Sequence, residues 1–469
     1  MTPGANDLCV FAVKRGNIEG RFDVRNLLYS QTIVRHDYQK GTLGSLTSEE
    51  PCYGTSATAI KRTDESQPKY IRITDFDDFG IEANHEFMTA ESYSDKHFLK
   101  EGDILFARTG ATVGKTYYYD GSIGKAVFAG YCIRFRFDPD KVLPKYVYWV
   151  TKTDTFGNWV QGIQRPSGQP NINKEEYKSF ETVLPTMTKQ KHLSGYMDTK
   201  AIHVIRKQQE ANRLLAGNSI YVLDKLDLKF QFGDKELVYG IKRRSITQRL
   251  DADYYSPQFE GFRQQIETAA YPVIAIGEIS TRIITGFAAG KQDQADDLPD
   301  DQRVAQLRPF SITPEGELSF DTQKYVPKER LKPEDYCQKG EVIFNNTNSP
   351  DLVGKTTVFD QDVLCATSNH MTRITVKDGV NPYYVAAFFN VLLSIGYWKL
   401  LCTNFNNQAG VNIETLKKVR IPLPDISVQN EIAAEIMRRR SQANQLRKEA
   451  AKEWTKAKAQ FERELLGES

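Results

Sequence analysis

The feature that most constrains this chain is an internal duplication. Residues 10–23 read VFAVKRGNIEGRFD and residues 238–251 read VYGIKRRSITQRLD; six of the fourteen positions are identical and four more are conservative, without a gap. The match continues in order. GDILFARTGATVGKTYYYD (102–120) corresponds to GEVIFNNTNSPDLVGKTTVFD (340–360), LPKYVYWV (143–150) to NPYYVAAF (381–388), and QPNINKEEYKSFETVLP (169–185) to QAGVNIETLKKVRIPLP (408–424). The offsets stay between 228 and 240 residues. Chance similarity does not preserve order, so the chain is a tandem duplication with repeats of roughly 235 residues. Short β-like runs such as YIRITDF, GDILFA, YCIRFRF, EVIFNN and MTRITV alternate with turn signals and a few helices. That pattern predicts mixed α/β domains with mostly antiparallel strands.

The duplication also disposes of an apparent nucleotide loop. Gly114-Lys115-Thr116 resembles the end of a phosphate-binding loop, but that signature needs four residues between its glycines. Here Gly110 and Gly114 are separated by three, and Thr109 stands where the first glycine belongs. Such a loop must also open a helix, whose N-terminal amides hold the phosphate. After Lys115 the chain runs Thr-Tyr-Tyr-Tyr-Asp-Gly, a strand and a turn. The second copy keeps Val-Gly-Lys-Thr (353–356) and loses the first glycine to Asn-Thr-Asn-Ser-Pro-Asp. The shared element is therefore strand, differing tip, Gly-Lys-Thr, strand: a hairpin.

Each repeat closes on Leu-Pro (184–185, 423–424) and a long helical segment. In the first, Leu193, Met197, Val204, Ala211 and Leu215 fall near heptad spacing, and Gly217-Asn218 is a stop signal. The helix from Lys189 to Ala216 would be ~42 Å long, a little over one ~34–36 Å turn of B-DNA. In the second, Ile432, Ile436, Ala443, Leu446, Ala450, Ala457 and Phe461 form a narrow apolar stripe in a charged helix. A stripe that thin suits a coiled-coil seam, and the simplest partner is the other copy's helix in an antiparallel pair. The alternative is two surface helices, each on its own domain. The expected fold class is mixed α/β (α+β): two tandem-duplicated domains separated by two long antiparallel coiled-coil helices. The expected boundaries are 1–188, first domain; 189–235, first spacer helix and linker; 236–424, second domain; 425–469, second spacer helix.

Catalytic constellations are not found. NPYY (381–384) lacks the second proline of the adenine methyltransferase motif, no F-x-G-x-G loop accompanies it, and the first copy has LPKY, so the segment reads as a Pro-initiated helix start. The six histidines form no H-x-x-x-H pair, and the six cysteines are scattered without metal-ligand spacing, so neither a metal site nor a catalytic site is expected. Free thiols fit a reducing cytosol. The N-terminus has no signal-peptide core, and residues 383–401, although apolar, are interrupted by Asn390, Ser394, Gly396 and Lys399. A soluble cytoplasmic protein without membrane partners is expected. The formal net charge is only +2, so any nucleic-acid binding must come from local patches or from partners that share the charge.

The arrangement GDILFARTGATVGK, PKYVYW, QPNI…VLP-x-x-x-x-Q (Gln190, repeated at Gln429) and a long helix, twice over, resembles the specificity (S) subunit of type I restriction-modification systems. RLDADYYSP (249–257) and its weaker partner RFDVRNLLYS (21–30) add to the resemblance, which covers nearly the whole chain. It implies a non-catalytic subunit in which each domain reads one half of a bipartite sequence in double-stranded DNA. The paired helices would set the gap and dock two methyltransferase (M) subunits, and restriction/translocase (R) subunits would complete the complex. The chain itself would bind no cofactor. S-adenosylmethionine for adenine methylation, and ATP and Mg for restriction, would belong to the partners.

Base readout needs side chains delivered on a stiff support, with phosphate contacts setting register. The hairpin tips are the first candidates: Arg108 and Thr109 in copy one, and Asn345, Asn346, Asn348 and Ser349 in copy two. Lys115 and Lys355 read as phosphate contacts. Arg62, Lys69, Tyr70 and Arg72 form a basic and aromatic run. The loop GIQRPSG (162–168) adds Arg165 and Ser167, and TNFNNQAG (403–410) adds Asn404, Asn406, Asn407 and Gln408. Two other readings stay open: the recognition subunit of a related type II or other phage-defence methyltransferase complex, and a coiled-coil protein scaffold without a DNA role.

Overall fold

In a computed structural model of the chain, the structure describes residues 38–82, 85–163, 170–230, 238–246, 249–405 and 408–466. The segments 10–23 and 21–30, the loop residues Arg165 and Ser167, and Asn406 and Asn407 lie outside the described residues. The chain forms two compact units: one up to Gln208 together with Arg447 onward, the other Gln209–Leu446.

The duplication is visible as strand order. In the first unit a sheet runs Cys52–Tyr53, Cys132–Phe135, Ile104–Ala107, Thr116–Tyr118, every pairing antiparallel. In the second the order is Ser280–Thr285, Met371–Val376, Val342–Asn345, Thr356–Val358, again antiparallel. One parallel pair recurs too, Lys69–Ile71 with Ala126–Phe128 and Arg303–Leu307 with Cys365–Thr367. The expected hairpin is thus the pair Ile104–Ala107 and Thr116–Tyr118 and its counterpart.

The central strand ILFA is fully buried because side chains alternate between two covered faces. Ile104 and Phe106 pack with Tyr146, Phe156, Trp159 and Tyr177; Leu105 and Ala107 pack with Phe76, Tyr117 and Phe128. VIFN does the same, with Val342 and Phe344 on the helical side and Ile343 on the other. The shared Val-Gly-Lys-Thr is explained by packing. Gly114 and Gly354 take φ of +89° and +100°, and a Cβ would come within 2.7 Å of Val160 and 2.1 Å of Trp398. Only glycine fits both the backbone and the approach.

Helices start where proline predicts. Pro144–Val150 follows Leu143, and Pro382–Ser394 follows Asn381, whose side chain accepts the N–H of Tyr383 at 2.8 Å. NPYY is a helix cap. The apolar stretch 383–401 divides at Gly396 into Pro382–Ser394 and Tyr397–Leu401, and among the described residues no helix is long and apolar enough to cross a membrane.

The long helices span Met187–Lys225, 39 residues, and Ile426–Leu466, 41 residues. Within the first unit Leu193, Met197 and Ala201 pack with Ala457, Phe461 and Leu465. Tyr196 donates to Gln460 at 2.9 Å, while Lys200 pairs with Glu453 and Lys207 with Glu449, both at 3.3 Å, so the segments run antiparallel. Within the second unit Ala211 and Leu215 meet Ala443, Val222 shares a cluster with Ile432 and Ile436, and Lys225 pairs with Glu431. The seam residues expected from the heptad pattern are buried, except Leu446, which is half-buried. The expected stop is wrong, however. Gly217-Asn218 lies inside the helix, because Val222 and Leu226 beyond it are buried and Arg439 donates to the Gly217 carbonyl at 2.9 Å. The helix ends instead at Lys225, and two residues on Asp227 takes the left-handed conformation (φ 51°), with the Leu228 N–H reaching back to Leu223 at 2.9 Å. A helix of this length measures about 58 Å, not ~42 Å.

Candidate nucleic-acid interface

The residue after the central strand occupies the same backbone site in both units. In the first, the Arg108 N–H donates to the Tyr131 carbonyl at 3.0 Å and the Arg108 carbonyl accepts from Ile172 at 2.9 Å. In the second, Asn346 donates to His370 at 3.0 Å and accepts from Val411 at 2.9 Å. Each tip is therefore bound to a loop that lies later in the chain. Thr109 bridges Asn171, and Thr347–Asn348 pairs with Gln408–Gly410, which pairs with Thr403–Phe405. Two segments chosen separately from the sequence, 345–349 and 403–410, thus form one small sheet.

The side chains differ. Arg108 lies over the Tyr53 ring, its guanidinium carbon 4.8 Å from the centroid. Thr109 is half-buried, Lys115 exposed. Lys115 borders a cleft of about 350 Å³ with Lys152, Lys458, Asp78 and Asp154. Lys152 is buried, donates to the Thr116 carbonyl at 3.0 Å and lies 3.9 Å from Asp78; burial pulls its ammonium down to about 8. In the second unit Ser349, Asn404 and Gln408 are exposed, and Asn348 is half-buried with its amide donating to Asn345 at 2.9 Å.

Several candidates are engaged within the domain itself. Tyr70 is buried and its hydroxyl donates to the carbonyls of Thr55 and Ala57 at 3.0 and 3.1 Å; burial pushes its pKa up. Asn345 is buried and donates to the carbonyls of Thr347 and His370, and Asn346 donates to Thr372 Oγ1 at 2.8 Å and to the Asn369 carbonyl. Lys355, expected as a phosphate contact, is buried: its ammonium donates to the carbonyls of Pro309, at 2.7 Å, and Ile312, and burial pulls its pKa down. Arg62 braces its own turn through the carbonyls of Gln67 and Glu65, and Arg72 is engaged by Asp75 at 2.8 Å. Lys69 remains half-exposed over Phe87, 4.8 Å from its centroid. Tyr53 and Tyr131, which the structure places beside Arg108, were not among the candidates read from the sequence. Their signal was an aromatic beside glycine, Tyr53-Gly54 and Gly130-Tyr131, at a strand end.

Among the described residues no group of three or more His, Cys, Asp or Glu could hold a metal ion, and Cys52, Cys132, Cys337, Cys365 and Cys402 are free. A rigid scaffold used twice, with altered side chains at matching sites, defines a specificity module. The chain belongs to the family of type I restriction modification DNA specificity domains, whose family model matches residues 54–211 and 311–453, one segment in each repeat. The family description names DNA specificity. A curated relative from Methanocaldococcus jannaschii, described as the MjaX type I restriction enzyme specificity subunit, is 26% identical over 124 residues; the aligned stretch covers 25% of this chain and 29% of that one. Among solved structures, the HsdS subunit from Thermoanaerobacter tengcongensis matches 93% of this chain and 98% of its own, at 13% identity and a TM-score of 0.34. The S subunit from M. genitalium matches 92% and 96%, at 10% identity and a TM-score of 0.44. The family assignment rests on the sequence match.

Proposed function

We propose that this chain is the S subunit of a cytoplasmic type I restriction-modification complex, reading a bipartite double-stranded DNA target. Residues 1–188 and 236–424 are the two target recognition domains, each reading one half-site. The helices within 189–235 and 425–469 fix the gap and dock two M subunits, which R subunits join for restriction. Adenine methylation is carried out by the M subunits, so S-adenosylmethionine, ATP and Mg are partners' cofactors.

One observation carries this reading: both repeats share strand order and tip hydrogen bonding, yet they present unlike side chains, half-buried Arg108 and exposed Tyr131 in one and exposed Ser349, Asn404 and Gln408 in the other. A common support with unlike reading edges suits two unlike half-sites. The apolar seam and the cross-helix ion pairs Lys200–Glu453 and Lys207–Glu449 support a stiff spacer. The test is to map methylated adenines in the host genome with the gene intact, deleted, and with one repeat exchanged for that of a paralogue. The expected result is a split motif lost on deletion and changed in one half per exchange. A methylation pattern indifferent to the exchange would sink the reading and favour a protein scaffold.

A further inference from the structure

Arg108 is prepared for a planar ligand in a way no other tip residue is. Its backbone is pinned on both sides, by the Tyr131 carbonyl at 3.0 Å and the Ile172 N–H at 2.9 Å. Its guanidinium lies over Tyr53, 4.8 Å from the ring centre, and its Nε is buried without a hydrogen-bond partner. No ion pair among the described residues takes it up. The Tyr53 ring is itself fixed, since its hydroxyl accepts the N–H of Lys174 at 3.2 Å. The patch is open: Tyr131, on the adjoining backbone, is 62% exposed.

These features have one chemical consequence. An arginine usually loses side-chain freedom when it binds, and a free guanidinium on a protein surface is commonly neutralised by a carboxylate. Here stacking has already removed much of that freedom, and no carboxylate competes for the charge. What remains is a positive, planar donor edge beside an exposed aromatic. The matching group in double-stranded DNA is the O6/N7 edge of guanine, which accepts two parallel N–H bonds in the major groove. Among the described residues the second repeat shows no such device. At the matching backbone site Asn346 is buried and its amide is spent on Thr372 and Asn369.

We propose that Arg108, held on Tyr53, reads a guanine in the half-site of the first repeat. Tyr53 is a positioning residue, acting through Arg108. The proposal rests on the S-subunit reading above. It is tested by methylome sequencing of the native host carrying chromosomal Arg108→Ala, Arg108→Lys, Tyr53→Ala and Tyr53→Phe, beside the parent strain. A bidentate Arg–guanine pair contributes roughly five- to 150-fold discrimination. Arg108→Ala is therefore expected to make one G·C position of one half-site degenerate by about that factor, leaving the other half-site unchanged. Tyr53→Ala should relax the same position less, and Tyr53→Phe, which keeps the ring but loses the hydroxyl that holds it, should relax it less still. An unchanged motif at parental level in Arg108→Ala overturns the proposal. Where Arg108→Ala abolishes methylation outright, Arg108→Lys decides: a relaxed G·C position supports the proposal, and either an unchanged motif or complete loss overturns it. A parent strain lacking any split motif that depends on this gene would refute the S-subunit reading instead.

Discussion

The side-chain oxygen of Gln429 accepts the backbone N–H of Asn381 at 2.9 Å, while its amide nitrogen donates to the Pro424 carbonyl at 2.7 Å. One buried carboxamide thus ties the start of the long helix to the start of Pro382–Ser394. Gln190 does the same in the first unit, accepting from Leu143 at 2.8 Å and donating to Pro185 at 2.9 Å. Truncation leaves a buried donor and acceptor unmade, costing ~1–3 kcal/mol for each orphaned group. Gln429→Ala and Gln190→Ala should each lower the melting temperature by several degrees, at roughly 2–4 °C per kcal/mol for units of this size. Calorimetry showing either variant as stable as the parent would refute the tie.

The paired glycines of Val-Gly-Lys-Thr should be unequal. Both carry positive φ, which alone costs an added Cβ about 1 kcal/mol. Gly114→Ala pushes on Val160, an aliphatic side chain 2.7 Å away, whereas Gly354→Ala drives into the Trp398 ring at 2.1 Å. We expect destabilisation of about 1–3 kcal/mol for the first and more for the second. Denaturant midpoints measure this, and the reverse order would show that Trp398 yields more easily than Val160.

Lys115 and Lys355 match in sequence and part in structure. If exposed Lys115 neutralises one DNA phosphate, Lys115→Ala lowers the slope of log K against log salt by about 0.9. Lys355→Met removes a buried donor from the carbonyls of Pro309 and Ile312 and should leave that slope unchanged while costing about 1–3 kcal/mol of stability. DNA titrations of the assembled complex at several salt concentrations separate the two, and equal slopes for parent and Lys115→Ala remove the phosphate role.

Lys152 should leave a mark on stability against pH. Burial holds its pKa near 8, against 10.5 in the unfolded chain. Below pH 8 both states bind the proton and the full burial penalty is present. Between about 8 and 10.5 the unfolded chain binds more protons than the folded one, so stability rises with pH. Relative to Lys152→Met, the parent should gain on the order of 1–3 kcal/mol across that window. Urea denaturation of both proteins at pH 7.5 and 10 checks this; a constant difference would mean that Lys152 titrates normally.

The scaffold was legible in the sequence because it is periodic and repeated. ILFA and VIFN, the proline helix starts and the seam residues Leu193, Met197, Ile432 and Phe461 each announce themselves by spacing. The tips were harder. Asn345 and Asn346 look like surface amides, but their partners His370, Asn369 and Thr372 lie more than twenty residues away, so satisfaction in the interior leaves no local trace. Lys355 is absorbed by carbonyls over forty residues distant. Gly217 carries a genuine local stop signal that burial of Val222 and Leu226 outweighs. Tyr53 went unnoticed because its partner, Arg108, enters from another strand.

The strand Ile104–Ala107 is buried on both faces, each answering to a different layer of side chains. It has no position at which a substitution can be absorbed without repacking one layer or the other. Arg108, one residue beyond, is constrained only through its backbone and one aromatic neighbour. If Arg108 reads the target as proposed, heritable change of preference can accumulate at the end of a strand whose interior is closed to it, and a new reading edge can be tried without disturbing the fold.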